Sequence, residues 1–156
     1  MVKMIALDTS TTETGYGVFK NGKLNKSGII KLSDKPAEKR VDKMMSEIKK
    51  LIIKYKPEIV VIEDLAVFNN MATNKNLCEL IGFVRGLCVT EGIYFDRLAP
   101  CTWRKLVAGK DEKIPRKREE CKPWDIKKAN ENGLKTQNDN EADAFLIGFA
   151  YKKLFK

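Results

Sequence analysis

The sequence predicts an α/β fold with a five-stranded mixed sheet flanked by helices. Three observations predict it. A nearly unbroken apolar run, VKMIALD at 2–8, reads as a central strand covered on both faces. The pair Asn21-Gly22 stands between two strand-like segments and marks a tight hairpin turn. From residue 36 onward, helical and strand-like periods alternate, a pattern that adds further strands through crossover helices.

The elements follow in order. After the first strand comes a polar turn, TSTTET at 9–14, and a second strand, GYGVFK at 15–20. A third strand is expected near Ser27–Leu32. Pro36 opens a helix reaching to about Lys56, in which Val41, Met44, Ile48, Leu51, Ile52 and Tyr55 recur at helical spacing with lysines opposite. Pro57 ends it, because proline cannot continue the hydrogen-bond ladder. Ile59–Glu63 is a short buried strand. Residues 75–91 form a second helix with Leu77, Leu80, Ile81, Val84, Leu87 and Cys88 inward. In this helix Gly82 and Gly86 permit close approach to a neighbouring element. Gly92 stops that helix, IYFDRLA at 93–99 is the fifth strand, and Pro100 and Thr102 introduce a short helix through Val107. Residues 109–139 are polar and poorly periodic, with a loop and a helix of undefined extent. The last helix starts near Asn138–Asn140.

Composition narrows the function. The 156 residues suit one domain, 1–156, with a full core. No apolar run approaches the roughly 20 residues that span a bilayer. The N-terminus has no signal-peptide layout, so an intracellular location is expected. Cys78, Cys88, Cys101 and Cys121 lack zinc-site spacing, and Cys78 and Cys88 are expected as buried thiols. The net charge is +9, and residues 20–56 carry twelve Lys/Arg against four Asp/Glu. Such a face favours polyanions, although a solvated lysine surface has the same composition. With no histidine in the chain, histidine-dependent triads, HExxH zinc sites and a histidine general base are excluded. Hydrolysis would have to rely on carboxylates, lysines or metal-bound water.

The acids are placed where such chemistry needs them. Asp8 closes the first apolar run and Glu63 closes the run EIVVIED. Asp139, Glu141 and Asp143 open the last helix, DNEADAFLIGFAYKKLF. Burying a carboxylate without a partner is costly, so acids at the ends of buried elements imply a counter-charge. Each has a plainer alternative. Asp8 could be a turn former, and Asp139 and Glu141 could complement the helix dipole. Asp143 fits that alternative poorly, because Ile147 and Ala150 share its face. Together the acids suggest ligands of a hard metal ion, and with the basic charge they suggest phosphodiester chemistry on a nucleic acid.

The segments LDTSTTETGYGV (7–18), VVIEDLAVFNN (60–70), Arg85-Gly86 and NEADAFLIG (140–148) together resemble RuvC-like Holliday junction resolvases. The resemblance covers most of the chain and is weakest across 109–137. The short length resembles phage-encoded members, which implies the cytoplasm of a bacterial host cell. It implies a ribonuclease H-like fold, a homodimer, and nicking of four-way and other branched DNA. It also implies two Mg²⁺ or Mn²⁺ ions per active site. Asp8, Glu63 and Asp143 match three of the family's catalytic metal ligands. The fourth position, usually aspartate, is Asn140 here. Its carbonyl oxygen could still bind metal. Asp139 is a rival for the role, and Glu141 is the weakest candidate. The implied chemistry is in-line hydrolysis by two cations roughly 3.5–4 Å apart.

Phe68 is a candidate base-stacking wedge or, alternatively, a core anchor. Arg104, Lys105, Arg116, Lys117 and Arg118 are candidate phosphate contacts, each with solvated surface as the alternative. A related ribosomal-RNA-processing nuclease is disfavoured by Glu63. LDTST also resembles the opening of actin-like and sugar-kinase proteins, including tRNA-modification partners, which lack an acidic helix of this kind. A non-cleaving branched-DNA-binding module draws its support from Asn140.

Overall fold

A computed structural model describes residues 2–65 and 71–155. The sheet runs β3-β2-β1-β4-β5, with β1 Lys3–Asp8, β2 Glu13–Lys20, β3 Lys23–Lys31, β4 Ile59–Glu63 and β5 Tyr94–Leu98. The β1–β2 and β2–β3 pairs are antiparallel, while β1–β4 and β4–β5 are parallel. The mixed five-stranded sheet is therefore as expected, with β1 at its centre. Asn21 and Gly22 both take positive φ, 51° and 72°, as a tight hairpin turn requires. The third strand begins straight after this turn, earlier than Ser27.

The helices are α1 Ala37–Tyr55, α2 Met71–Thr90, α3 Pro100–Val107, α4 Arg118–Glu131 and α5 Asp139–Tyr151, with a closing 3₁₀ turn at Lys152–Phe155. The alternation of β1 divides the core in two. Met4 and Ala6 face α3 and α5, together with Val61, Trp103, Phe145, Leu146 and Ile147. Ile5 and Leu7 face α1 and α2, together with Val60, Ile62, Met44, Ile48, Leu80 and Val84. Each buried aliphatic side chain contributes about 1.5–3 kcal/mol, so register errors in β1 would be costly on both faces.

Gly15 explains how α5 reaches the sheet. A Cβ there would fall 1.9 Å from the Asn140 carbonyl oxygen. Only a glycine lets the first turn of α5 lie directly on β2.

Two expectations need correction. Cys88 is buried, and burial pushes its thiol up to about 11, but Cys78 is exposed. At about 100° per residue, Cys78 falls on the outer side of α2 with Gly82 and Arg85, away from the Leu80, Ile81, Val84 and Cys88 stripe. Among the described residues nothing lies within 4 Å of a Cβ at Gly82 or Gly86, so the close approach they permit is not used by any described element. No helix among the described residues is long and apolar enough to cross a membrane.

Candidate active site

Strand parity brings the first two acids together. Met4 and Ala6 project toward α5, so Asp8 does too; on β4, Val61 projects that way, so Glu63 follows. Parallel pairing sets Leu7 against Ile62 and leaves Asp8 beside Glu63 at the carboxyl ends of adjacent strands. That edge is where open α/β sheets bind ligands. Asp143 approaches from α5, which packs on this same face. All three line one cleft of about 640 Å³.

The cleft strains its acids. Asp8 is raised well above the usual carboxylate range, first by burial and then by the charges of Glu63, Asp139 and Asp125. Asp143 is raised in the same way by burial, then by Asp8, Asp125 and Glu63. Its Oδ1 is buried with no hydrogen-bond partner among the described residues. Burial also raises Glu63, though Trp103 and Arg104 oppose it. Trp103 is fully buried on α3 and donates from Nε1 to Glu63 Oε2 at 2.8 Å. Leaving an acceptor such as Asp143 Oδ1 unsatisfied costs about 1–3 kcal/mol; a bound cation would remove that cost.

The remaining candidates for the fourth position separate by their partners. Asn140 lines the cleft, and its Nδ2 donates to Glu13 at 2.9 Å. Asp139 also lines it but is held by Lys122 at 2.6 Å. Glu141 is outside the lining and is bound by Ser27 and Thr136, at 2.6 and 2.7 Å. Its side chain points away from the cleft, as its helical position implies.

Among the basic candidates, Arg116 and Arg118 line the cleft at its exposed rim, while Lys105 and Lys117 are exposed and outside the lining. Arg104 lines it too, but its guanidinium is committed to Asp125 by two hydrogen bonds and lies over the Trp103 ring, 4.3 Å from its centroid. Burial works to lower the Arg104 pKa, and the bonds and charge of Asp125 outweigh it. Phe68 lies outside the described residues.

Sequence reasoning missed Asp125 and Trp103. Asp125 belongs to a buried stripe of α4 with Cys121, Lys128 and Ala129. That stripe is half polar, so hydrophobic periodicity does not reveal it. A signal was available in the four-residue spacing of Cys121, Asp125 and Ala129, which puts Asp125 on a buried face.

Among the described residues, no three acids already stand as a formed metal-binding group. The donor set nonetheless fits a hard divalent cation. It is all oxygen, rich in carboxylates, and includes a buried oxygen without a partner.

The family model of the crossover junction endodeoxyribonuclease RuvC matches residues 4–117. A crossover junction endodeoxyribonuclease RuvC from Carboxydothermus hydrogenoformans is 32% identical over 155 residues, spanning 96% of this chain and 94% of that protein. One from Fusobacterium nucleatum is 33% identical over 88 residues, 53% of this chain and 46% of that protein. Among solved structures, Thermus thermophilus RuvC in complex with a Holliday junction substrate superposes with a TM-score of 0.75 at 18% identity, covering 99% of this chain and 96% of that one. Fowlpox virus resolvase with substrate Holliday junction DNA gives 0.68 at 15%, covering 99% and 100%. The fold is ribonuclease H-like. On the family match and the near full-length relative, this chain belongs to the RuvC family of crossover junction endodeoxyribonucleases.

Proposed function

We propose that the protein nicks four-way DNA junctions, and other branched DNA, by metal-dependent phosphodiester hydrolysis. One observation carries this reading. Acids from three separate elements, Asp8, Glu63 and Asp143, line one cleft in which burial and mutual repulsion oppose their charge. Carboxylates kept in that condition are poor for stability, and a pair of divalent cations would offset them.

Asp8, Glu63, Asp143 and Asn140 would hold two Mg²⁺ or Mn²⁺ ions. Bound there, such ions supply Lewis acidity to the scissile phosphate and lower the pKa of water. The chain's own residues do the rest. Trp103 fixes the Glu63 carboxylate by its Nε1–H bond. Arg116 and Arg118, exposed at the rim, would meet DNA phosphates. Arg104 stays on Asp125, where it balances one cleft acid and stiffens the α3–α4 contact. Lys105 and Lys117 lie outside the cleft lining and would at most meet phosphates further along an arm. Phe68 is proposed as a stacking wedge at the junction centre.

A homodimer supplies two such clefts to a substrate with two equivalent strands. The outer side of α2 supports that assembly, because Gly82 and Gly86 leave open backbone there and Val89 is 71% exposed. The test is cleavage of a synthetic four-way junction by the wild-type chain, with and without Mg²⁺ or Mn²⁺. Nicks that require the ion support the reading. Binding of the junction with no cleavage under either ion would favour the non-cleaving module.

A further inference from the structure

We infer that Glu13 is a positioning residue for the metal site: it latches the Asn140 amide so that its carbonyl oxygen serves the cleft as a neutral fourth ligand. The inference rests on the metal-nuclease reading above.

Glu13 opens β2 and is half-buried. Its Oε1 receives two side-chain amides, Asn138 Nδ2 at 2.6 Å and Asn140 Nδ2 at 2.9 Å. An ionised carboxylate has only acceptors, so each amide must turn its NH₂ end toward Glu13. The Asn140 amide is planar, and its carbonyl oxygen therefore branches away from Glu13. Asn140 itself lines the cleft with Asp8 and Asp143. It precedes Asp143 by three residues on α5, which puts the two side chains on neighbouring positions of one face.

The latch grips the helix as well as the side chain. Asn138 caps α5 by accepting from the Glu141 backbone N–H at 2.9 Å, while its amide holds Glu13. Gly15, two residues further along β2, admits the Asn140 carbonyl against the strand. Backbone and side chain of Asn140 are thus both fixed from β2. Lys31 lies 3.5 Å from Glu13 Oε2.

A plain structural tie between β2 and α5 would show the same bonds, so the test must read metal affinity through Asn140. Mn²⁺ binding to the metal-free protein is titrated by electron paramagnetic resonance for wild type, Glu13→Val, Asn140→Ala and the double variant. Loss of a group that orients a ligand weakens metal binding about 10–100-fold. Each single variant is expected to bind about tenfold more weakly, and the double no more weakly than Asn140→Ala. Glu13→Val binding within about twofold of wild type would overturn the latch. So would further weakening in the double variant, which would mean that Glu13 acts by another route.

A second measurement needs no Glu13 variant. The Asn140 side-chain amide signal, assigned by its loss in Asn140→Ala, is expected to shift on Mg²⁺ titration with the midpoint of metal binding. An unmoved signal would overturn the latch. Asp8→Asn separates the two readings. If Mn²⁺ binds and is lost in Asp8→Asn while Glu13→Val is unaffected, only the latch fails. If the wild type binds no Mn²⁺, the nuclease site and the latch fail together.

Discussion

Arg104 grips the Asp125 carboxylate twice, Nε to Oδ1 at 3.0 Å and Nη2 to Oδ2 at 2.7 Å. The fork joins α3 to α4 beside the cleft acids, with Asp125 only 1% exposed. Taking one partner from a buried pair leaves an uncompensated charge, at a cost of about 3–5 kcal/mol. The Arg104 side chain keeps 15% exposure, which places the effect at the lower end. Asp125→Ala is expected to lower the unfolding free energy by about 3 kcal/mol in urea titration. A loss under about 1 kcal/mol would mean that the fork is solvated and adds little.

Trp103 is the second residue whose role came only from the structure. Trp103→Phe keeps most of the ring but removes the Nε1–H donor to Glu63. Glu63 then loses the largest influence holding its pKa down. The expected result is a nicking rate at least about tenfold lower at fixed Mg²⁺. Higher Mg²⁺ should partly restore it. An unchanged metal dependence would assign Trp103 to packing alone.

The cleft acids also set a pH dependence with a definite sign. Asp8, Glu63 and Asp143 titrate above their usual values in the folded chain. Their protonated folded state is favoured, so this contribution is fully present below the ordinary carboxylate values and is lost as pH rises through the raised ones. Glu13 and Glu112 shift the other way, and their contribution is lost only as pH falls through their lowered values. Metal-free protein should therefore lose Tm as pH rises from about 5 to 8. Mg²⁺ should raise Tm more at pH 8 than at pH 5, since it binds the ionised acids. A Mg²⁺ effect independent of pH would contradict the assignment of these acids.

Gly15→Ala tests the seating of α5. The added carbon would collide with main chain at Asn140, where no flexible side-chain end can yield. Overpacking of this kind costs about 1–3 kcal/mol, and a backbone collision falls at the upper end. Lower stability and a large loss of nicking are expected together, because the shift moves Asn140 and Asp143 as one unit. Full activity in a well-folded Gly15→Ala chain would show that α5 need not sit this close.

The sequence made some of this legible. Asp8 and Glu63 were readable because each ends an apolar run of fixed period, and the period of two also fixes the face they share. The resemblance carried Asp143 to its place, and its apolar neighbours at helical spacing agreed. Glu141 was readable as pointing elsewhere from helical geometry alone. Asp125 was harder to read, because the inward stripe of α4 holds two charged residues, Asp125 and Lys128, and so lacks apolar periodicity. For the same reason the sequence leaves Arg104 between a phosphate contact and solvated surface: its partner, Asp125, is hidden. Cys78 was misplaced because its apolar neighbours suggest burial, whereas its helical position sets it on the outer side of α2. Asn140 was recognised as a departure, but the acceptor that orients it, Glu13, lies 127 positions away and no local pattern links them.

Asp8, Glu63 and Asp143 are proposed to act as one metal-dependent nuclease site, and Asp8→Asn tests this most directly. The variant keeps the size of the side chain and removes the charge at the C-terminal end of β1. Wild type and variant are compared on one synthetic four-way junction in Mg²⁺, with binding and nicking read in parallel. Retained junction binding with nicking abolished is the predicted result. Nicking that persists at the wild-type rate in Asp8→Asn would contradict the site assignment.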